Sequence, residues 1–152
     1  MTDEHERFSR EGILEFAAQF PFFRLIGLEV LDLQPGWSRT RLEHRHDLTQ
    51  PAGILHGGVI ASLIDSGIAH ALLLTERFQE LRHEGGALIS VDLRVKYLRP
   101  VSEDAIVCES KILRLGRQII HAEAVVTNAE GKEVALGDAT YMAVTKSRLE
   151  RG

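Results

Sequence analysis

One carboxylate stands alone in a greasy run. From Val59 to Leu74 the chain reads VIASLIDSGIAHALLL, and Asp65 is its only charged side chain; His70 is the other ionisable group. An unpaired buried carboxylate costs several kcal/mol. Asp65 must therefore be hydrogen-bonded, paired, wetted by a cleft or protonated. A carboxylate in such a setting has the makings of a general base or a nucleophile. The plainer alternative is a structural aspartate that faces a crevice or satisfies a backbone N–H. What shifts the balance lies just upstream, where His56-Gly57-Gly58 opens the same run. Two glycines let a ligand approach the backbone closely. The first amides of a helix lack intrahelical partners and sit at its positive dipole end, so they are suited to hold an oxyanion. Gln50 is a further polar group ahead of them. Seven to eight helical residues separate the glycines from Asp65, a rise of about 11–12 Å. That is too far for one reacting centre, and it predicts that the acid and the oxyanion donors of one site come from different subunits.

The elements that would carry these groups are readable from periodicity. Val59–Leu74 is apolar nearly all round, so it predicts a helix buried on most sides, running from Gly57 or Gly58 to about Arg77. Ile13, Leu14, Phe16, Ala17 and Phe20 recur at helical spacing between Ser9 and Phe20, with Pro21 as the stop. Phe22–Ile26 reads as an apolar lead-in to Gly27. Segments 28–33 and 37–44 alternate as strands around Gln34-Pro35-Gly36, a hairpin signal. Residues 47–55 read as loop. Segments 87–98, 105–115, 118–128 and 133–144 read as four long strands, whose turns favour antiparallel neighbours. Glu76 to Glu84 reads as a solvated helix end and loop. A long helix against an antiparallel sheet is an α+β layer architecture, here one domain over 1–152, with 1–8 and 147–152 as frayed tails.

The pattern Gln50-Pro51-Ala52-Gly53-Ile54-Leu55-His56-Gly57-Gly58, followed by Asp65, resembles the hotdog-fold acyl-CoA thioesterases of the phenylacetate-pathway (PaaI) type and the thioesterase-superfamily-member-2 type. Ser90–Pro100, ending in Tyr97-Leu98-Arg99-Pro100, is similar to the family's long strand, and Leu115-Gly116-Arg117 to its next turn. The likeness covers about residues 22–146. Many PaaI-type members carry Asn where this chain has Gln50, and the longer amide changes the reach of that group. The resemblance implies an antiparallel curved sheet wrapped around the long helix, with protomers paired into shared active sites and dimers often joined as tetramers. It also implies metal-free cleavage of acyl-CoA to free acid and CoA, with no cofactor beyond the CoA of the substrate. On that reading Asp65 is base or nucleophile, Gly57 and Gly58 are oxyanion donors, and Gln50 orients the carbonyl or the water. Ser90 assists the water, and His56 fixes the loop. Lys96, Arg99, Arg114 and Arg117, near strand ends, are candidates for the CoA phosphates; solvated edge charges are the alternative.

Several function classes fall away. The net charge of −4 gives no basic footprint for nucleic acid. No stretch is long and apolar enough to span a bilayer, the N-terminus is too polar for a secretory signal, and the single cysteine, Cys108, forms no intrachain disulfide. The default location is the cytoplasm. His44 and His46 lack a third ligand at sensible spacing, so no metal site is expected. His121 reads as a core or interface histidine. Ser62 and Ser66 flank Asp65 without a nucleophile elbow. Two rivals stand beside thioester hydrolysis: a hydratase or dehydratase on the same fold, and a non-catalytic acyl-CoA-binding protein.

Overall fold

The computed structural model describes residues 4–151. Chain order is α1 (Glu4–Arg7), α2 (Arg10–Gln19), α3 (Pro21–Ile26), β1 (Leu28–Gln34), β2 (Trp37–Glu43), α4 (Gly57–Leu73), α5 (Glu76–His83), β3 (Ala87–Tyr97), β4 (Ala105–Leu115), β5 (Ile119–Thr127), β6 (Glu133–Val144) and α6 (Lys146–Leu149). The six strands form one wholly antiparallel sheet in the order β1-β2-β4-β5-β6-β3, which curves around α4. This is the hotdog architecture, with helices α2 and α3 added ahead of β1.

The centre of the core is α4. Its Leu63, Ile64, Ile68 and Leu72 are fully buried against the sheet, each contributing about 1.5–3 kcal/mol of apolar transfer. Helix and sheet lie in close contact at Gly67, where a Cβ would lie 2.6 Å from Ser110 Oγ, and at Gly137, where one would lie 2.6 Å from Ile64 Cγ2. Ser38 donates to the Gly67 carbonyl at 2.6 Å. That bond satisfies a hydroxyl that the β2 side of the core would otherwise strand.

Three sequence expectations are corrected. The long helix ends at Leu73, not near Arg77: Thr75 caps a separate helix, α5, bent 82° from α4, in place of the expected loop. Pro21 does not simply end a helix; it also starts the next, α3, at the N-terminal position where its missing N–H costs nothing. The β3–β4 turn does not join neighbours. β3 crosses to the far edge and pairs with β6, while β4 fills the middle beside β2. The fraying expected of 1–8 and 147–152 lies partly outside the described residues; within them, α1 and α6 are helical. Among the described residues no single helix is long and apolar enough to cross a membrane.

β3 is one exposed edge of the sheet. It is 11 residues long and leaves Ile89, Val91 and Tyr97 at 40–53% exposure. The opposite edge, β1, is shorter, bulged at Val30/Asp32 and studded with Glu29 and Asp32.

Candidate active site

The first cluster sits at the N-terminus of α4. His56 is the N-cap, and its Nδ1 accepts the Gly58 N–H at 2.9 Å. An imidazole nitrogen that accepts carries no proton, so neutral His56 is protonated at Nε2. The Gly58 amide is thereby used within its own turn. The Gly57 amide has no partner among the described residues, and is the donor left for a ligand. Both glycines are dictated by crowding: a Cβ on Gly57 would meet the Tyr97 ring at 3.0 Å, and one on Gly58 would meet His56 Nδ1 at 3.0 Å. Tyr97, from the end of β3, donates its hydroxyl to the Gly57 carbonyl at 2.8 Å and so pins the turn. Gln50 belongs to the same corner. Its side-chain oxygen accepts the Ala52 N–H at 2.8 Å, which leaves its NH2 group free to donate. Gln50, Gly57, Tyr97 and Arg99 line one cleft of about 310 Å³.

The second cluster lies two turns further along α4. Asp65 is half-buried. Tyr141 Oη lies 2.7 Å from Asp65 Oδ1 and 3.0 Å from the Asp65 carbonyl oxygen. A phenol has one proton, and the carboxylate is the stronger acceptor. Burial, then the neighbouring Asp65 carboxylate, push the Tyr141 phenol far above its ordinary range, while a hydrogen bond from Ser90 partly opposes them. The phenol is therefore a permanent donor that holds one carboxylate oxygen and leaves Oδ2 to react. Ser90 faces Tyr141 directly in the β3–β6 ladder. Asp65 and Ser90 thus meet through Tyr141.

The two clusters do not meet within one chain. Gly57 and Asp65 are separated by about 12 Å of helix rise. On β3, Ser90 and Tyr97 are seven residues apart, about 23 Å. The basic candidates also divide. Arg99 lines the Gly57 cleft and donates to the Glu133 carbonyl at 2.6 Å. Arg117 lines a different cleft of about 420 Å³, with Arg77 and Arg148, at the other end of the sheet. Lys96 and Arg114 are exposed on β3 and β4. His121, expected in the core or an interface, is exposed with its ring beside Thr140 Oγ1 at 3.4 Å. His70 is no partner of Asp65; its Nδ1 donates to the Ser66 carbonyl at 2.7 Å.

The residue that sequence reading missed is Tyr141. Its signal was present. Along β6 the inward positions are Ala135, Gly137, Ala139, Tyr141 and Ala143, small because α4 lies close, and a lone tyrosine in that row must reach a polar partner.

Comparison with known proteins agrees with this geometry. The family profile described as Thioesterase superfamily matches residues 52–135, more than half of the chain. Acyl-coenzyme A thioesterase 13 of Homo sapiens is 32% identical over 132 residues, covering 84% of this chain and 89% of its own length. The medium/long-chain acyl-CoA thioesterase YigI of Escherichia coli (strain K12) is 30% identical over 136 residues, covering 84% and 88%. A Saccharolobus solfataricus protein 26% identical over 106 residues is covered for 66% of its own length. Among solved structures, zebra fish thioesterase superfamily member 2 superposes with a TM-score of 0.75 at 26% identity, over 88% of this chain and 97% of that one. With the helix-borne acid, the glycine-lined helix N-terminus and the wrapped sheet all in place, the chain belongs to the Thioesterase superfamily of hotdog-fold thioester hydrolases.

Proposed function

We propose that this protein is an acyl-CoA thioesterase that works as a homodimer, each active site drawing on both protomers. The observation that carries the reading is the separation of donor and acid to opposite ends of β3. A long edge strand with exposed apolar side chains is an aggregation hazard unless something covers it. A second copy, paired antiparallel across a two-fold axis, does so at no cost in new surface chemistry. With the axis near Asp92, the midpoint of β3, the partner's Tyr97 lies beside Ala87. The partner's Gly57 amide then approaches the Asp65–Tyr141–Ser90 cluster. The same pairing carries the partner's Lys96 and Arg99 toward Arg114 and Arg117, so that basic groups from both chains converge for the CoA phosphates.

In this arrangement the thioester carbonyl oxygen receives the Gly57 N–H of one protomer, and the free NH2 of Gln50 steadies it. Asp65 of the other protomer acts by one of two routes. As general base it takes a proton from water; the resulting hydroxide adds to the carbonyl carbon, and the tetrahedral oxyanion collapses with loss of CoA thiolate. As nucleophile, Oδ2 attacks the same carbon, CoA thiolate leaves, and water hydrolyses the mixed anhydride to acid and restored carboxylate. Tyr141 holds Oδ1 in either case, and Ser90 is placed to orient the water. Asp65→Asn is isosteric and removes the basicity. In a thiol-release assay on acyl-CoA, kcat should fall at least about a thousandfold with little change in melting temperature. Near-normal turnover would end the reading. Formation or hydration of an acyl double bond without thiol release would favour the hydratase alternative.

A further inference from the structure

The turn that carries the free Gly57 amide is built from the residues least able to hold it still. Glycine restricts its own backbone less than any other residue. Here two stand in succession at the start of α4, and helix ends fray. A hydrogen-bond donor stabilises an oxyanion only if it is already aimed when charge develops. The frame that aims it must therefore come from other residues.

Three side chains bond to the two glycines. His56 Nδ1 accepts the Gly58 N–H at 2.9 Å, and Ser62 Oγ donates to the Gly58 carbonyl at 2.9 Å. Both belong to α4 or its cap, so they shape the turn but move with it. The third is Tyr97, which stands on β3, 40 residues away, and donates its hydroxyl to the Gly57 carbonyl at 2.8 Å. Its ring also lies against Gly57, so closely that a Cβ there would meet it at 3.0 Å. Among the described residues, Tyr97 is the only side chain outside α4 and its cap that bonds to either glycine. It fixes the turn relative to the sheet.

The Gly57 carbonyl and the Gly58 N–H belong to one planar peptide. Tyr97 holds that plane at its oxygen and His56 holds it at its nitrogen. A plane held at both ends cannot rotate, so Gly57 Cα is set, and with it the free amide on its other side. Tyr97 is 53% exposed, so water can replace its bond, and folding depends on it little. Resting on the thioesterase reading above, we infer that Tyr97 is a positioning residue. Through the Gly57–Gly58 peptide it aims the Gly57 N–H of its own protomer at the thioester carbonyl, without touching the reacting atoms itself.

Tyr97→Phe keeps the ring and removes one oxygen. The substrate is whichever of acetyl-, octanoyl-, palmitoyl- and benzoyl-CoA the wild-type protein turns over fastest. A loosened donor should lower kcat about tenfold and leave KM within about twofold, the pattern of an interaction made only in the transition state. Because Tyr97 acts through residue 57, its loss and that of Gly57→Pro should not add: the double variant should fall at most about twofold below Gly57→Pro alone. A second readout needs no turnover. Amide hydrogen exchange followed by NMR should be at least about tenfold faster at Gly58 in Tyr97→Phe, with the core amides of β4 unchanged. Unaltered kcat in Tyr97→Phe overturns the inference and leaves the thioesterase reading intact. A full tenfold loss repeated in the Gly57→Pro background also overturns it. No thiol release by wild-type protein from any of the four esters overturns the thioesterase reading itself; the exchange measurement then decides the clamp alone, and unchanged exchange at Gly58 overturns it.

Discussion

The Gly57 amide offers the sharpest test of the site, because it can be deleted without removing a side chain. Gly57 is the first residue of α4, where an N–H has no intrahelical partner, so Gly57→Pro removes the donor and no helix bond. The preceding residue, His56, has φ −63° and ψ 133°, extended values that tolerate a following proline. A Cβ at position 57 lies 3.0–3.3 Å from the Tyr97 ring and hydroxyl, so Tyr97 must shift and loosen its hydrogen bond to the Gly57 carbonyl. Disturbing that bond should cost about 0.5–1.5 kcal/mol, well short of unfolding the protein. Loss of one oxyanion donor typically costs about 10²–10³ in kcat, roughly 2.7–4 kcal/mol of transition-state stabilisation. The assay is thiol release under saturating acyl-CoA, with urea unfolding alongside. The variant also tests the shared site. Mixed with Asp65→Asn protomers and allowed to exchange, it should form hybrid dimers with one site intact and the other doubly defective, restoring about one quarter of wild-type activity at equal mixing. A kcat within a few-fold of wild type would refute the donor assignment. Absence of recovery in dimers shown to be hybrid would refute the two-protomer site.

Tyr141→Phe keeps the ring but strips Asp65 of its hydrogen bond; stability should drop by about 1.5–3 kcal/mol in urea unfolding, with kcat down at least about tenfold, and unaltered kcat would mean that the carboxylate needs no anchor. Charge reversal at Arg99 and Arg117 together should raise KM for acyl-CoA while leaving hydrolysis of a short thioester without phosphates untouched; equal KM for CoA esters in variant and wild type would return both arginines to the solvated surface. Burial pushes the Cys108 thiol up to about 11; thiolate, the reactive form, is scarce below that pH, so native protein should resist thiol-reactive dye at pH 8 and label only on unfolding, and rapid native labelling would contradict its burial.

Local pattern carried much of this molecule. The apolar run around Asp65 could only be a buried helix, because no face of it is polar enough for water. The bounds of β4 and β6 follow from alternation and turn residues. Asp65, Gln50 and the His-Gly-Gly turn were legible because a lone charge in an apolar run and paired glycines at a helix start are unusual in themselves. The distance between them followed from helix rise alone, and with it the expectation of a second protomer.

Other features depend on residues far apart in the chain. The break after Leu73 carries no glycine or proline, only Thr75 caught as a cap, and where the helix turns is decided by what it packs on. β3 follows α5 yet lies at the opposite edge from β1, since strand order is set by the helix crossing the sheet and not by the turn at Arg99-Pro100. Which of two glycine amides stays free was settled by the rotamer of His56. Tyr141, 76 residues from Asp65, became its partner only when the curved sheet closed over α4. Sequence spacing reports contacts within one helix or strand; hydrogen bonds between elements exist only once the chain has folded and their geometry can be met.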